Sequence, residues 1–399
     1  MKPYEELKIC ASCNSQNLTT LHDFGDSPLA GYFPKRGDVS EEYKIPMQLK
    51  QCLDCKLVQV SPCVDDRLLF SDYRYLSRFA MSSHFEELSD WVVKKTKTTK
   101  LKILEIGCND GTLLDKLSNK GMQVEGVDPA ENVTSYAIQN GHQVFRDYFS
   151  DDFVSSRNLE NVYDLIISCN SFAHMSGIRK VSKGVSLALK NGGLFIVEVQ
   201  AWPELVRLRT FDFVYHEHRY YYDLHSINSL LSPFKLILVD AEIVKSHGNS
   251  YRLTFQKNGS KEVSAEVLKN EISLTVEQIK VGVNDFFEAI RAIRLELNSL
   301  ELEGKRVVAF GASGRGNMIL TKLSRTDDIE AVFDESPERI GREMALTGIP
   351  IKDFRELDEL EYDVCLILAW NYAEEIVKKW PHRGKLLLVP LPQLRHKWS

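Results

Sequence analysis

The chain has 399 residues, of which 43% are hydrophobic, 27% charged and 10% aromatic. That apolar content offsets the entropy of ordering the backbone and excludes wholesale disorder; at roughly 100–200 residues per domain, two or three domains are expected. Basic residues number 50 and acidic residues 56, a formal charge of −6, so no global field attracts a polyanion and nucleic acid is not an expected partner. No apolar run reaches the ~18 residues that span a bilayer, and the opening MKPYEELKIC lacks a signal-peptide core. A cytoplasmic protein without a membrane partner is expected. Its eight cysteines are therefore read as metal ligands, chemistry or core residues rather than disulfides.

Residues 1–77 are loop-rich, with turn signals at Gly25-Asp26-Ser27-Pro28 and Lys35-Arg36-Gly37-Asp38. Cys10-Ala-Ser-Cys13 and Cys52-Leu-Asp-Cys55 are two CxxC knuckles separated by 38 residues. Four thiolates complete the tetrahedral set that zinc favours and leave no position for water, so the expected Zn2+ is structural and staples a segment too small to fold alone; reduced core cysteines or a redox pair are the alternative. Cys63, Cys108, Cys169 and Cys365 lack partner spacing and read as core or turn residues.

From Leu101, short apolar runs alternate with helix-length segments: KILEIG, a helix through Leu113–Leu117, QVEGVD, a helix near Tyr136–Ile138, DLIIS, a helix through Val181–Leu189, and GLFIVEV. This alternation predicts a doubly wound parallel sheet, with KLILVDAEIV and YRLTFQ closing its edge. The turn Glu105-Ile-Gly107-Cys108-Asn109-Asp110-Gly111 follows the first strand and opens a helix, where glycines let the backbone approach a ligand. Asp128 ends the next strand, the place where an acidic side chain accepts both hydroxyls of an adenosine ribose. Asn109 and Thr112 stand where a dinucleotide fingerprint needs glycine, so S-adenosylmethionine, which has no pyrophosphate, fits better; a plain strand-to-helix turn is the alternative.

Phe211 to Tyr222 carries six aromatics and two histidines in twelve residues. Polar tips on aromatic bodies suit a ligand pocket, and a histidine there can take a proton from a carbon acid. The alternatives are metal binding by His216 and His218, or aromatic packing in an interdomain core. Between Ala265 and Leu300 every third or fourth residue is apolar, which predicts a long amphipathic helix facing a core between domains, or forming a dimer seam. RVVAFGASGRG, IEAVFD, GIPI, YDVCLILAW, a helix through Ile376, and KLLLVPL then make a second α/β unit. Its turn Gly311-Ala-Ser-Gly314-Arg315-Gly316, with Asp334 closing the next strand, reads as a degenerate NAD site, a diphosphate site or a structural turn.

The paired knuckles with Cys52-x-x-Cys55-x-Leu57-Val58-Gln59, the LEIGCNDGTLL turn, Gly126-Val-Asp128-Pro129-Ala130, Asn170-x-Phe172-Ala173-His174, Tyr215-His-Glu-His218, the glycine turn at 311–316 and Trp370-Asn371 occur in one order. By them the chain resembles the sugar C-methyltransferase family, similar to C-3′-methyltransferases acting on nucleotide-linked 4-keto-deoxysugars. The resemblance implies an α/β fold with a small N-terminal zinc-binding module over 1–77, a Rossmann-like class I methyltransferase domain over 78–255, and a second Rossmann-like α/β domain over 256–399 contributing to nucleotide-sugar binding. It implies S-adenosylmethionine held by Glu105, Gly107, Asn109, Asp110, Gly111, Asp128, Pro129 and Asn170, and the nucleotide-diphosphate sugar held by Gly311, Gly314, Arg315, Gly316 and Asn371. Carried over position by position, His218 is the general base that removes the proton beside the keto group. Tyr215, Glu217, His174 and Tyr73, or Tyr75 in a shifted register, position the sugar or support the enolate. The implied product is methylated at C-3 of a 4-keto-6-deoxyhexose; C-5, oxygen or nitrogen methylation, or a non-catalytic zinc-containing binding protein, are the alternatives. A monomer or homodimer is expected. Three positions depart from the family pattern: Arg315 replaces a lysine, Ala369 a proline and Asp223 a serine, with consequences expected for the phosphate pose and for sugar recognition.

Overall fold

The computed structural model describes residues 3–37, 44–70, 73, 75–246, 248–260, 274–323 and 328–398. The chain divides into two compact units that do not follow chain order. Met1–Thr20, Lys50–Glu204 and His218–Ser273 form the first; Leu21–Leu49, Leu205–Glu217 and Leu274–Ser399 form the second.

The first unit is built on a seven-stranded sheet: β1 (Lys102–Ile106), β2 (Gln123–Val127), β3 (Gln143–Phe145), β4 (Tyr163–Cys169), β5 (Leu189–Gln200), β6 (Leu236–Val244) and β7 (Ser250–Lys257), in the order β3-β2-β1-β4-β5-β7-β6. β1 to β5 pair in parallel, while β7 runs antiparallel to both β5 and β6. Both predicted edge runs are therefore strands, and the last in sequence is inserted inside the other. Alternate residues serve opposite faces, as the two-residue period of a strand requires. Leu104, Ile166, Phe195 and Val197 pack with Val181 and Val185 of α5 (Ile178–Ala188). Ile103, Leu165, Ile167 and Ile196 pack with Leu88 and Val92 of α1 (Ser82–Thr96) and Leu113 and Leu117 of α2 (Thr112–Asn119). Burial on both faces explains why these strands read as continuous apolar runs rather than alternating ones. α3 (Glu131–Gln139) and α4 (Asp151–Ser156) complete the crossovers, and α6 (Leu224–Leu231) follows the aromatic run.

The second unit holds β8 (Val307–Phe310), β9 (Ile329–Asp334), β10 (Ile351–Asp353), β11 (Val364–Ile367), β12 (Leu386–Val389) and β13 (Arg395–Trp398), in the order β10-β9-β8-β11-β12-β13. All pair in parallel except β13, which is antiparallel to β12. α7 (Val276–Leu302) starts at a capping box in which the Thr275 hydroxyl accepts from the Gln278 amide. It buries Ile279, Val283, Phe286, Ile290, Ile293, Leu297 and Leu300. This is the predicted stripe, and it packs against its own unit through Val206 and Phe211; Ala265, Leu268 and Ile272 lie outside the described residues. α8 (Gly314–Leu323) and α9 (Ala373–Lys379) flank the sheet's glycine turn and its fourth strand.

Residues 21–49 join the second unit for identifiable reasons. The Asn317 side-chain amide donates to the Ala30 and Tyr32 carbonyls at 3.0 and 3.3 Å. The Lys322 ammonium donates to the Phe24 carbonyl and the Ser27 hydroxyl at 2.7 and 2.9 Å. The signal at Gly25–Pro28 marks the end of a strand, Leu18–Ser27, with Gly25 at φ +66°. Asp38 of the second signal lies outside the described residues. Among the described residues, no helix is long and apolar enough to cross a membrane.

Candidate active site

The two knuckles fold alike. Asn14 and Lys56, each one residue past the second cysteine of its pair, have φ of +61° and +65°, and the amides of Asn14 and Lys56 donate to the carbonyls of Cys10 and Cys52 at 3.0 Å each. The Asp54 carboxylate accepts from Ser15 Oγ and Asn17 Nδ2, which ties one knuckle to the other. Cys10 Sγ stands 3.5 Å from Cys55 Sγ, and Cys13 Sγ 3.6 Å from Cys52 Sγ; all four ligand atoms lie within 4.8 Å of one another. A tetrahedron with ~2.3 Å zinc–sulfur bonds has edges of roughly 3.8 Å, so the donor set fits Zn2+ and closes it off from water.

The first glycine turn lies at the C-terminal ends of β1 and β2. Asp128 is held at both oxygens: Oδ2 accepts from the Asn109 amide at 3.0 Å and Oδ1 from the Ala130 amide at 2.9 Å. Burial pushes its carboxyl up to about 6. Glu105, at the end of β1, is buried with no hydrogen bond to Oε2. Its carboxyl is raised first by desolvation and then by the charges of Asp110 and Asp128. A buried, under-bonded carboxylate beside two more fits a ligand carrying positive charge, which S-adenosylmethionine supplies through its sulfonium and ammonium groups.

The side chains of Asn109 and Asp110 bond to the segment ahead of α1. Asn109 accepts from the Ser77 amide at 3.1 Å and donates to the Tyr75 carbonyl at 2.9 Å, and Asp110 accepts from the Arg78 amide and Nε, both at 3.0 Å. They fasten the segment 75–78 to the turn. Gly107 has φ +77°, and a Cβ there would lie 2.4 Å from the Ser171 side chain. Its glycine is thus demanded by close packing of the β4 turn, not only by ligand approach. Asn170, in the same β4 turn at φ +54°, donates its amide to the Glu198 carbonyl at 2.9 Å; Pro129 follows Asp128 directly.

The ribose-accepting role expected of Asp128 calls for its carboxylate form; on that role, S-adenosylmethionine affinity is expected to be full above about pH 7 and to fall as pH drops through about 6. Asp128→Asn should abolish that dependence and weaken binding by roughly 1.5–3 kcal/mol per charge-assisted bond lost. Calorimetry between pH 5 and 8 checks both; equal dissociation constants for variant and wild type would refute the placement.

The structure separates the two histidines of the aromatic run. His216 is 1% exposed and donates Nε2–H to the Pro46 carbonyl at 3.3 Å. Burial pushes its imidazole down to about 4, leaving it neutral at physiological pH. His218 is half-buried, and its ring centroid lies 4.7 Å from that of His174, also half-buried. Rings continue from this pair in both directions: Phe70 at 6.3 Å from His174, Tyr73 at 5.9 Å from Phe70, and Tyr221 at 6.4 Å from His218. Tyr73 rather than Tyr75 therefore continues the chain from the histidine pair through Phe70, while Tyr75 neighbours Tyr73 at 6.5 Å. Tyr215 and Glu217 belong to the second unit and His218 to the first. Glu217 is anchored by the Gly31 amide, which donates to Oε1 at 2.7 Å.

At the second glycine turn the structure surrounds Arg315 with partners from its own unit. Its guanidinium stacks over the Phe213 ring at 3.7 Å and the Trp370 ring at 4.5 Å. Nε donates to Asp212 at 2.8 Å, NH2 pairs with the same carboxylate at 2.7 Å, and NH1 donates to Asn371 Oδ1 at 3.0 Å. The Trp370 indole also donates to Asp212, at 2.9 Å. The Ala312 amide is taken by Asp334 at 2.7 Å and the Gly316 amide by Ser313 Oγ at 3.1 Å. Gly311, at φ +99°, has Ala369 2.8 Å from where a Cβ would sit, and Gly314 packs on Ala30. The charge of Arg315 neutralises a buried Asp212. Arg315→Lys, which keeps charge but loses the fork and the stacking, is expected to cost about 1–3 kcal/mol of stability. A thermal melt reads this; an unchanged melt with a raised KM for substrate would support the phosphate role. Asp223 is likewise a helix cap, accepting from the Ser226 amide at 2.7 Å in a capping box. A serine caps equally well, so α6 accommodates either residue at this departure from the family pattern.

Sequence reading missed a buried ionic chain in the first unit. Glu198 on β5 accepts from Arg252 Nε on β7 and bonds His84 Nε2 on α1, both at 2.6 Å, and Arg252 forks onto Glu87 at 3.0 and 2.6 Å. The signal was present: Glu198 interrupts LFIVEV and Arg252 interrupts YRLTF, and a charge within a buried strand needs a partner. His84, Cys169 and Glu198 lie close enough to share a metal, yet Arg252 already supplies the positive charge to Glu198, so hydrogen bonds close this cluster.

Matches to known proteins follow the same layout. Residues 10–70 match the family described as "Putative zinc binding domain", residues 74–237 the family "Methyltransferase domain", and residues 245–392 the family "C-methyltransferase C-terminal domain". C-methyltransferase NovU of Streptomyces niveus is 29% identical, covering 99% of this chain and 97% of its own. Ubiquinone biosynthesis O-methyltransferase of Rickettsia conorii is 22% identical over 31% of this chain and 41% of its own. Magnesium protoporphyrin IX methyltransferase of Synechocystis PCC 6803, solved with bound SAM, covers 45% of this chain and 81% of its own at 14% identity and a TM-score of 0.35. Three domain families in one order over residues 10–392 and a relative aligned along nearly the whole length identify the chain as an S-adenosylmethionine-dependent C-methyltransferase.

Proposed function

We propose that the methyl acceptor is a nucleotide-diphosphate-linked 4-keto-6-deoxyhexose, methylated at C-3 after His218 removes the C-3 proton. The observation that carries this reading is the His218–His174 pair, two half-buried imidazoles with centroids 4.7 Å apart, while the neighbouring His216 is buried and neutral. A carbon beside a ketone becomes nucleophilic only as its enolate, so a positioned base and a donor to the developing oxyanion are the groups required. His218 takes the proton; His174 or Tyr73 donates to the enolate oxygen. S-adenosylmethionine, when bound, supplies an electrophilic methyl group. Asp128 and Glu105 orient it: the first accepts from the ribose, and the second faces its positive charge. Glu217 and Tyr215 precede the base in the chain and are assigned to sugar positioning, with Glu217 held by Gly31.

The nucleotide portion is assigned to the turn at 311–316, whose Arg315 also donates Nε to Asp212 and NH1 to Asn371. Thermal shifts with dTDP, UDP, GDP and CDP, each beside S-adenosylhomocysteine, find the nucleobase, because a ligand at 100 times its dissociation constant adds about 2.7 kcal/mol. Turnover of the matching 4-keto-6-deoxy sugar nucleotide, with the new methyl group located by carbon NMR, tests the chemistry. A methyl group on oxygen or nitrogen, or no shift with any nucleotide, would overturn the assignment.

A further inference from the structure

We infer that Arg219 is the positioning residue of this site, its buried guanidinium setting the spacing of the His218 and His174 imidazoles. The inference rests on the reading of His218 as the base. Arg219 follows His218 directly, and its side chain is 2% exposed. Its main-chain amide donates to the Ala173 carbonyl at 2.9 Å, and Nε donates to the carbonyl of His174 itself, also at 2.9 Å. One residue thus grips the turn that carries the second imidazole at two successive carbonyls, while being peptide-bonded to the first.

The rest of the guanidinium reaches a third segment. NH2 donates to the Val64 carbonyl at 2.8 Å and pairs with Asp66, and NH1 contacts Cys63 Sγ. The other oxygen of Asp66 accepts from Ser176 Oγ, two residues past His174. Asp66 also opens the short helix Asp66–Phe70, whose Phe70 ring lies between His174 and Tyr73. The Arg219 carbonyl in turn accepts from the Val60 amide at 2.9 Å. All three segments that carry His218, His174 and the Phe70–Tyr73 wall therefore meet at this one side chain. Only a planar fork with donors on separate nitrogens reaches carbonyls from two segments and a carboxylate at once; a lysine ammonium is a single point.

The test uses the full-length zinc-loaded protein. Imidazole titrations by nitrogen NMR are recorded for wild type, His174→Gln, Arg219→Lys and the double variant, together with kcat and KM on whichever sugar nucleotide the wild type turns over. In the wild-type background, His174→Gln is expected to move the His218 titration; in the Arg219→Lys background that movement should shrink, because the two rings are no longer held at one spacing. Turnover should fall roughly 10²-fold, the scale of a misplacement of about 1 Å, with KM for S-adenosylmethionine unchanged. Should Arg219→Lys fail to fold, Asp66→Asn, which leaves the carbonyl contacts in place, is expected to show the same loss of coupling to a smaller degree. A His218 titration that responds to His174→Gln equally in all backgrounds overturns the inference. Failure of the base assignment looks different: His218→Ala would retain turnover while the imidazole coupling still depends on Arg219, which supports the positioning role and removes its catalytic consequence.

Discussion

His218→Ala is expected to lose methyl transfer by about 10²–10⁴-fold or more, the range that general-base catalysis contributes, while still binding S-adenosylhomocysteine and nucleotide. Deprotonation and methyl transfer are separable steps. S-adenosylhomocysteine fills the cofactor site but has no methyl group to give, so with it bound the wild-type enzyme should exchange the C-3 hydrogen with solvent deuterium, and His218→Ala should lose that exchange along with turnover. His216 supplies the internal control. It is buried, bonded to the Pro46 carbonyl and held neutral down to about pH 4, so it has neither access to substrate nor a titration near neutrality. His216→Asn should alter stability and leave the exchange chemistry within a few-fold of wild type. Near wild-type turnover by His218→Ala, with loss in Tyr215→Phe, would move the role of base to the Tyr215 phenol.

Cys52→Ser is expected to reduce bound zinc from one ion per chain to a small fraction of that, forfeiting much of the ~10–16 kcal/mol that a structural zinc site contributes to folding its module. The consequence should extend past the module. Cys10, Cys52, Cys55 and Leu57 share one hydrophobic cluster with Phe172, Tyr220 and Tyr222. Gln59 joins the knuckle to the aromatic run: its Oε1 accepts from the Ala11 amide at 3.0 Å, its Nε2 donates to the Ile9 carbonyl at 3.2 Å, and its strand pairs with Tyr220–Tyr221. Turnover should therefore fall with zinc content, whereas S-adenosylhomocysteine affinity, expected to depend on the β1–β2 end of the sheet, should persist. Metal analysis and calorimetry on the same preparation read both; undiminished zinc in the variant would refute the ligand assignment, and full activity without zinc would refute the link to the aromatic run.

Both α/β sheets, the metal ligands and the place of Asp128 were legible because each rests on local pattern. Buried parallel strands are apolar runs, a strand-to-helix turn needs its glycines, and a CxxC knuckle curls around its own two thiols. The Tyr-His-Glu-His run reads in sequence as a candidate for chemistry, and the structure adds a physical difference between its two histidines, the burial of His216 against the Pro46 carbonyl. Arg315 shows the opposite case. A basic residue in a glycine turn suggests a phosphate, and nothing local announces its other partners: a segment more than 100 residues earlier delivers Asp212 and Phe213 to it.

What the sequence determined by itself is therefore the content of each element and the ligands of the knuckles, since strand burial, turn geometry and thiolate spacing depend on neighbours a few residues away. What only the tertiary structure decided is which residues share a unit and which charges meet. Residues 21–49 and 205–217 fold with the C-terminal sheet, and the pairs Arg315–Asp212, Arg252–Glu198 and Arg219–Asp66 join positions 103, 54 and 153 residues apart. A buried charge is stable only beside its counter-charge, and the chain's path through space, not its local pattern, brings the two together.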